Sequence, residues 1–192
     1  VDVVKERLKE VEAVHPLAFA MDIDSAGLPH AGLANPPMLL KTEEELREIA
    51  AATNLPFIVK GIMTAEAAQK AVRAGAYAIV VSNHGGRTLA DTPGTAAVLP
   101  RIADTVNGRC FIMVDGTVAR GTDVEKYLAL GAQCTLVGRH FVRAAHGGLV
   151  DGVALFANRI KSELAVAMFL TLKVVESPHE SSLEMSFPIK IP

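Results

Sequence analysis

Five short apolar runs constrain this chain more than any other feature. They cover residues 17–21, 56–62, 78–82, 110–115 and 134–138, and each stops abruptly at polar or glycine residues. A strand buried on both faces has no polar face to show, so a continuous run of Val, Ile, Phe and Met is its pattern. The stretches around them have helical spacing. Apolar residues at 3, 4, 8, 11 and 14 put one face of a first helix toward a core. Further helices are predicted at roughly 42–52, 64–74, 93–106, 123–131 and 150–170. Thr42 with Glu45 makes a capping box, Thr64 caps the next helix, and His15-Pro16 stops the first. Strand–helix alternation predicts a parallel sheet covered on both faces. Both a (β/α)8 barrel and an open doubly wound sheet fit that pattern. No Gly-x-Gly-x-x-Gly follows the first strand, which counts against a dinucleotide fold.

The polar residues that punctuate the strand ends are Asp22, Lys60, His84, Asp115 and Arg139, at the end where both architectures bind ligands. The densest chemistry is Ser82-Asn83-His84-Gly85-Gly86-Arg87. An imidazole, a side chain able to take up a proton, stands three residues from a guanidinium, which can grip carboxylates in parallel hydrogen bonds. A base beside a carboxylate clamp suits proton abstraction from a small organic acid. A glycine-rich turn with an exposed His and Arg is the plainer alternative. Asp24 reads as a loop or cap residue.

Composition narrows the classes. Lys and Arg number 19 against 21 Asp and Glu, a formal charge of −2 with no basic footprint for nucleic acid. No apolar run is long enough to span a bilayer. Cys110 and Cys134 sit in apolar runs without CxxC spacing, as reduced core residues of a cytoplasmic protein do. His140, His146 and His179 lack metal-ligand spacing and read as surface residues, so no metal is expected. The chain begins with Val rather than Met and reads as part of something longer.

With these residues laid out, the chain resembles the FMN-dependent 2-hydroxy acid oxidases and dehydrogenases, the family of glycolate oxidase, lactate oxidase and flavocytochrome b2. The stretches that carry the likeness are 56–62 (Pro-Phe-Ile-Val-Lys-Gly-Ile), 81–87 (Val-Ser-Asn-His-Gly-Gly-Arg), 115–124, 128–132 and 137–139. The resemblance implies a TIM (β/α)8 barrel of which residues 1–171 carry roughly strands 4 to 8, with 172–192 a divergent tail. Five units cannot close an eight-stranded barrel. A preceding segment or another copy, as in a homo-oligomer, is therefore expected to cover the open edges.

The resemblance also implies roles. FMN would lie at the C-terminal mouth, and a lactate- or glycolate-like 2-hydroxy acid would be oxidised to the 2-oxo acid. The electrons would pass to oxygen, a quinone or a protein. Lys60 would sit by the flavin, His84 would take the substrate's proton, Asp22 would hold that imidazole, and Arg87 would bind the substrate carboxylate. Ser82 and Asp115 would line the flavin site, with Asp115 facing the ribityl hydroxyls. Gly116, Gly138 and Arg139 would form the phosphate site.

Two departures stand out. The family usually reads Asp-Gly-Gly-(Val/Ile)-Arg where this chain has Asp115-Gly116-Thr117-Val118-Ala119. The second glycine and a phosphate-binding arginine are missing, and Arg120 is the nearest substitute. The loop after Asp22 has Pro29-His30 near the place of a second substrate arginine. Two alternatives therefore stay open: a degenerate, non-catalytic paralogue, or a flavin-independent TIM-barrel enzyme that binds a phosphorylated substrate.

Overall fold

The computed structural model describes residues 1–28, 31 and 39–172; Pro29-His30 and the tail from 173 onward lie outside the described residues. Strands β1 (Phe19–Asp22), β2 (Phe57–Ile62), β3 (Ala78–Val81), β4 (Phe111–Val114) and β5 (Cys134–Thr135) form one parallel sheet. Their spatial order is their order in the chain, β1-β2-β3-β4-β5. A doubly wound sheet reverses its order at a switch point. Five units without a reversal make an arc of a barrel, with β1 and β5 as its edges among the described residues.

Alternation along each strand sorts the side chains. Phe57, Val59, Ile79, Val81, Ile112 and Val114 are at most 3% exposed and lie beneath the helices. Phe19 joins them, its ring stacked on Phe57 at 4.7 Å. The other face is only partly buried at Ile58, Lys60, Phe111 and Met113, which differs from the expectation of two covered faces. That face is the barrel interior. In register, Asp22, Lys60, Val80 and Met113 occupy one level of it.

The helices are α1 (Asp2–Glu12), α2 (Glu43–Ala50), α3 (Ala65–Arg73), α4 (Thr95–Val106), α5 (Gly121–Ala129) and α6 (Arg139–Leu172). The expected caps form. The Glu45 amide donates to Thr42 Oγ1 at 3.2 Å while Glu45 Oε2 accepts the Thr42 amide at 2.8 Å. The Ala67 amide donates to Thr64 Oγ1 at 3.1 Å. α6 departs most from expectation, because it starts at Arg139 rather than near 150. It is broken at Gly148 and Leu149, where φ is −158° and 49°. Two adjacent glycines hide a helical turn on either side from any propensity argument. The second segment packs on α5 so closely that a Cβ on Gly121 would meet the Leu164 backbone nitrogen at 2.0 Å.

Both cysteines are unpaired. Burial pushes the thiols of Cys110 and Cys134 up, which suits inert packing residues. Cys110 is in the core as expected, whereas Cys134 is only half-buried. Among the described residues no helix is long and apolar enough to cross a membrane.

Candidate active site

The C-terminal ends of all five strands deliver the site. Lys60, 19% exposed at its side chain, lies beside Asp22 of the neighbouring strand because the register pairs the two positions. Its Nζ is 2.6 Å from Asp22 Oδ1 and 3.9 Å from Asp115 Oδ2. Adjacent parallel strands run about 4.8 Å apart, so in-register side chains on one face meet readily. The pairing at Asp22 corrects the expectation that it holds His84. The nearer strand wins over one two positions away.

The imidazole partner is Asp24, which the sequence had suggested to be only a loop or cap residue. After Asp22 the chain turns into a short 3-10 helix, Ile23–Gly27, which swings Asp24 toward the β3 exit loop. Asp24 Oδ1 then lies 3.3 Å from His84 Nδ1, and both side chains are 14% exposed. Space for this carboxylate comes from a bulge in β2. The β2–β3 register shifts between Lys60 and Ile62, and Gly61 between them has φ +97°. A Cβ there would stand 2.6 Å from Asp24 Cγ.

The β3 exit loop is held from within. The His84 amide donates to Ser82 Oγ at 3.1 Å, and Ser82 Oγ donates to Asp115 Oδ2 at 2.8 Å. His84 takes φ 57°, a left-handed conformation that costs a non-glycine residue energy and occurs disproportionately at functional sites. Arg87 curls back and donates from Nε to the His84 carbonyl at 2.9 Å. That bond orients the fork, and among the described residues the terminal amino groups of the guanidinium make no hydrogen bond.

These groups open into one cavity of about 440 Å³, lined by Lys60, His84, Arg87, Asp115, Gly116, Gly138 and Arg139 among others. Asp22 and buried Ser82 support it from outside the lining. Asp115 Oδ1 and Asp24 Oδ2 are buried without a hydrogen-bond partner among the described residues. A buried lone acceptor is costly, and a hydroxyl donor from a ligand would relieve it. Ligand atoms of Asp22, Asp24 and His84 lie within 4.8 Å of one another. The Lys60 ammonium already supplies a cation to this group.

Arg120, suggested as the substitute for the missing phosphate arginine, is not among the cavity's lining residues. It is exposed at the start of α5, and its charge acts on Glu163 of α6. The Glu163 carboxyl is held below its usual range first by Arg159, then by the Gly121 amide, and to a smaller extent by Arg120. His140, expected at the surface, instead lines the cavity half-buried; His146 is exposed as expected. Arg143 also lines it and was missed, although the spacing Arg139-x-x-x-Arg143 was a readable sign that the two share a helix face.

Thr117 follows Gly116 with φ 55°, so the loop keeps a left-handed residue where the sequence has lost its glycine. Thr pays for that conformation sterically. Thr117→Gly is expected to raise stability by up to about 1 kcal/mol. A chemical-denaturation midpoint checks this, and an unchanged or lower midpoint would show that the strain is relieved elsewhere.

Residues 20–177 match a family described as FMN-dependent dehydrogenase. A peroxisomal (S)-2-hydroxyacid oxidase of Arabidopsis thaliana is 47% identical over 131 residues, covering 68% of this chain and 35% of that protein. An L-lactate oxidase of a Nostoc species is 38% identical over 181 residues, covering 86% of this chain and 49% of that protein. Among solved structures, mandelate oxidase with benzoyl-formic acid superposes with a TM-score of 0.79 at 32% identity, covering 86% of this chain and 54% of that one. A point mutant of mandelate oxidase with the monooxide FMN adduct gives a TM-score of 0.76 at 34% identity, covering 86% of this chain and 54% of that one. The aligned region of this chain spans from about a third to just over half the length of these proteins.

Proposed function

The chain belongs to the FMN-dependent dehydrogenase family, and from that premise we propose that it oxidises a small 2-hydroxy acid, lactate- or glycolate-like, to the 2-oxo acid. The observation that carries the proposal is that an imidazole backed by a carboxylate, a guanidinium and a half-buried ammonium share one cavity.

The residues present fit FMN. Asp115 offers a buried unsatisfied oxygen to a polyol, Lys60 offers a cation, and Gly116, Gly138 and Arg139 leave room and charge for a phosphate. Bound there, FMN supplies the acceptor for the two electrons that leave the substrate's α-carbon. Arg87 binds the substrate carboxylate through its terminal amino groups. His84, with Nδ1–H donated to Asp24 Oδ1, presents Nε2 as the base that takes the substrate's proton. Asp24 then stabilises the imidazolium. Lys60, fixed by Asp22, offsets the negative charge that accumulates in the cavity. Ser82 keeps Asp115 in place.

The test is direct. Purified protein supplied with FMN and then freed of unbound flavin is expected to stay yellow and to bleach anaerobically on addition of L-lactate or glycolate. Protein that stays colourless would overturn the proposal in favour of a flavin-free or non-catalytic role. Oxygen uptake on re-aeration separates an oxidase from an enzyme that passes electrons to a quinone or a protein.

Arg87→Lys provides a narrower check. Lysine keeps the charge but not the two-pronged geometry. The expected result is a KM for the hydroxy acid raised by about tenfold or more with a smaller change in kcat. An unchanged KM would place the carboxylate elsewhere. We further propose a cytoplasmic location, on the two unpaired thiols. We also propose that a preceding segment or a second copy covers the edges of β1 and β5.

A further inference from the structure

The start of α6 carries more positive charge than its surroundings balance. Arg139 and Arg143 lie one turn apart on the face that lines the cavity. Among the described residues neither guanidinium makes an ion pair. Like charges at this spacing repel, and the positive end of the helix dipole adds to the repulsion. The arrangement is unfavourable alone and favourable around an anion with two or more charged oxygens.

The neighbouring helix start is closed to such an anion. Asp123 Oδ2 accepts the amides of Ala119 and Arg120, both at 3.0 Å. Glu163 Oε2 accepts the amide of Gly121 at 2.9 Å. The amides of Ala119, Arg120 and Gly121, which lead into α5, are thus committed to carboxylates, and those carboxylates repel a phosphate. Ala119 brings no charge, and Arg120 is exposed and outside the cavity lining.

We infer that Arg143 is the second guanidinium of the cofactor's phosphate site and takes over the charge missing at position 119. The phosphate is gripped from α6, by Arg139, Arg143 and the first turn of that helix, and not from α5. Gly138 carries no side chain to block the approach, and among the described residues beyond its chain neighbours nothing lies within 4 Å of where its Cβ would be. This inference rests on the flavin reading above, and its test separates the two.

The experiment compares FMN with riboflavin, which has the same ring and polyol but no phosphate. Apoprotein and its R143Q variant are titrated with each by flavin fluorescence, with circular dichroism confirming that both are folded. Gln keeps helix propensity and removes the charge. R143Q is expected to weaken FMN by about tenfold to a hundredfold and to leave riboflavin unchanged. Adding A119R to R143Q should return part of the loss. Equal FMN affinity in parent and variant would overturn the inference while leaving the flavin reading intact. So would an equal loss for both ligands, since Arg143 would then act on the ring or the fold. Failure of the parent to bind either flavin would overturn the flavin reading itself, and the inference with it.

Discussion

His84→Gln protein is expected to bind FMN as the parent does and to lose reduction by 2-hydroxy acid by about 10²–10⁴-fold, the range that a positioned proton acceptor contributes. Gln matches the length and hydrogen-bonding reach of the imidazole but takes no proton. The backbone contact that ties the loop to Ser82 comes from the residue 84 amide, which Gln retains. Gln bears the same left-handed φ as His, so the strain at this position is common to both proteins. The Ser82–Asp115 pair and the helix start at Arg139 remain intact, which is why cofactor affinity should hold. Anaerobic stopped-flow reduction measures the rate, and equilibrium titration measures the affinity. A variant reduced at the parental rate would remove His84 from the chemistry.

The architecture could be read from the sequence because a buried parallel strand and an amphipathic helix leave different periods, and every strand here alternated with a helix. Thr42 and Thr64 were legible for the same local reason, since a capping hydroxyl needs only its own first turn. The partner of His84 was not. Asp22 and Asp24 are two residues apart and chemically alike, so spacing alone does not separate them. The separation comes from the in-register Lys60, which captures Asp22, and from the 3-10 turn that redirects Asp24. Both are tertiary facts. The first segment of α6 was lost to the Gly147-Gly148 pair. With it went the helical frame that makes Arg143 a neighbour of Arg139, and Arg120, close in sequence to the missing arginine, was suggested in its place.

The dependence of the site on one glycine gives the second large expected effect. Gly61→Ala is expected to destabilise the fold by about 2–5 kcal/mol, from two costs that add at one place. The bulge holds residue 61 at φ +97°, outside the range an L side chain adopts without strain. The new methyl also overlaps the Asp24 carboxylate, with its Cγ and Oδ1 both at 2.6 Å. Relief requires the β2 bulge to open or Asp24 to leave His84. In the second case the folded fraction should reduce its cofactor slowly, as Asp24→Asn protein should, with cofactor affinity preserved. Asp22→Asn should not reproduce that pattern, because Asp22 acts on Lys60. Gly86→Ala is the internal comparison. Its φ of +75° imposes a conformational cost of about 1–2 kcal/mol, but nothing lies within 4 Å of the added methyl. Denaturation midpoints of the two variants isolate the steric part at Gly61. Equal losses in stability would mean that the Asp24 carboxylate is not seated against the bulge, and the carboxylate–imidazole geometry proposed for the base would have to be abandoned.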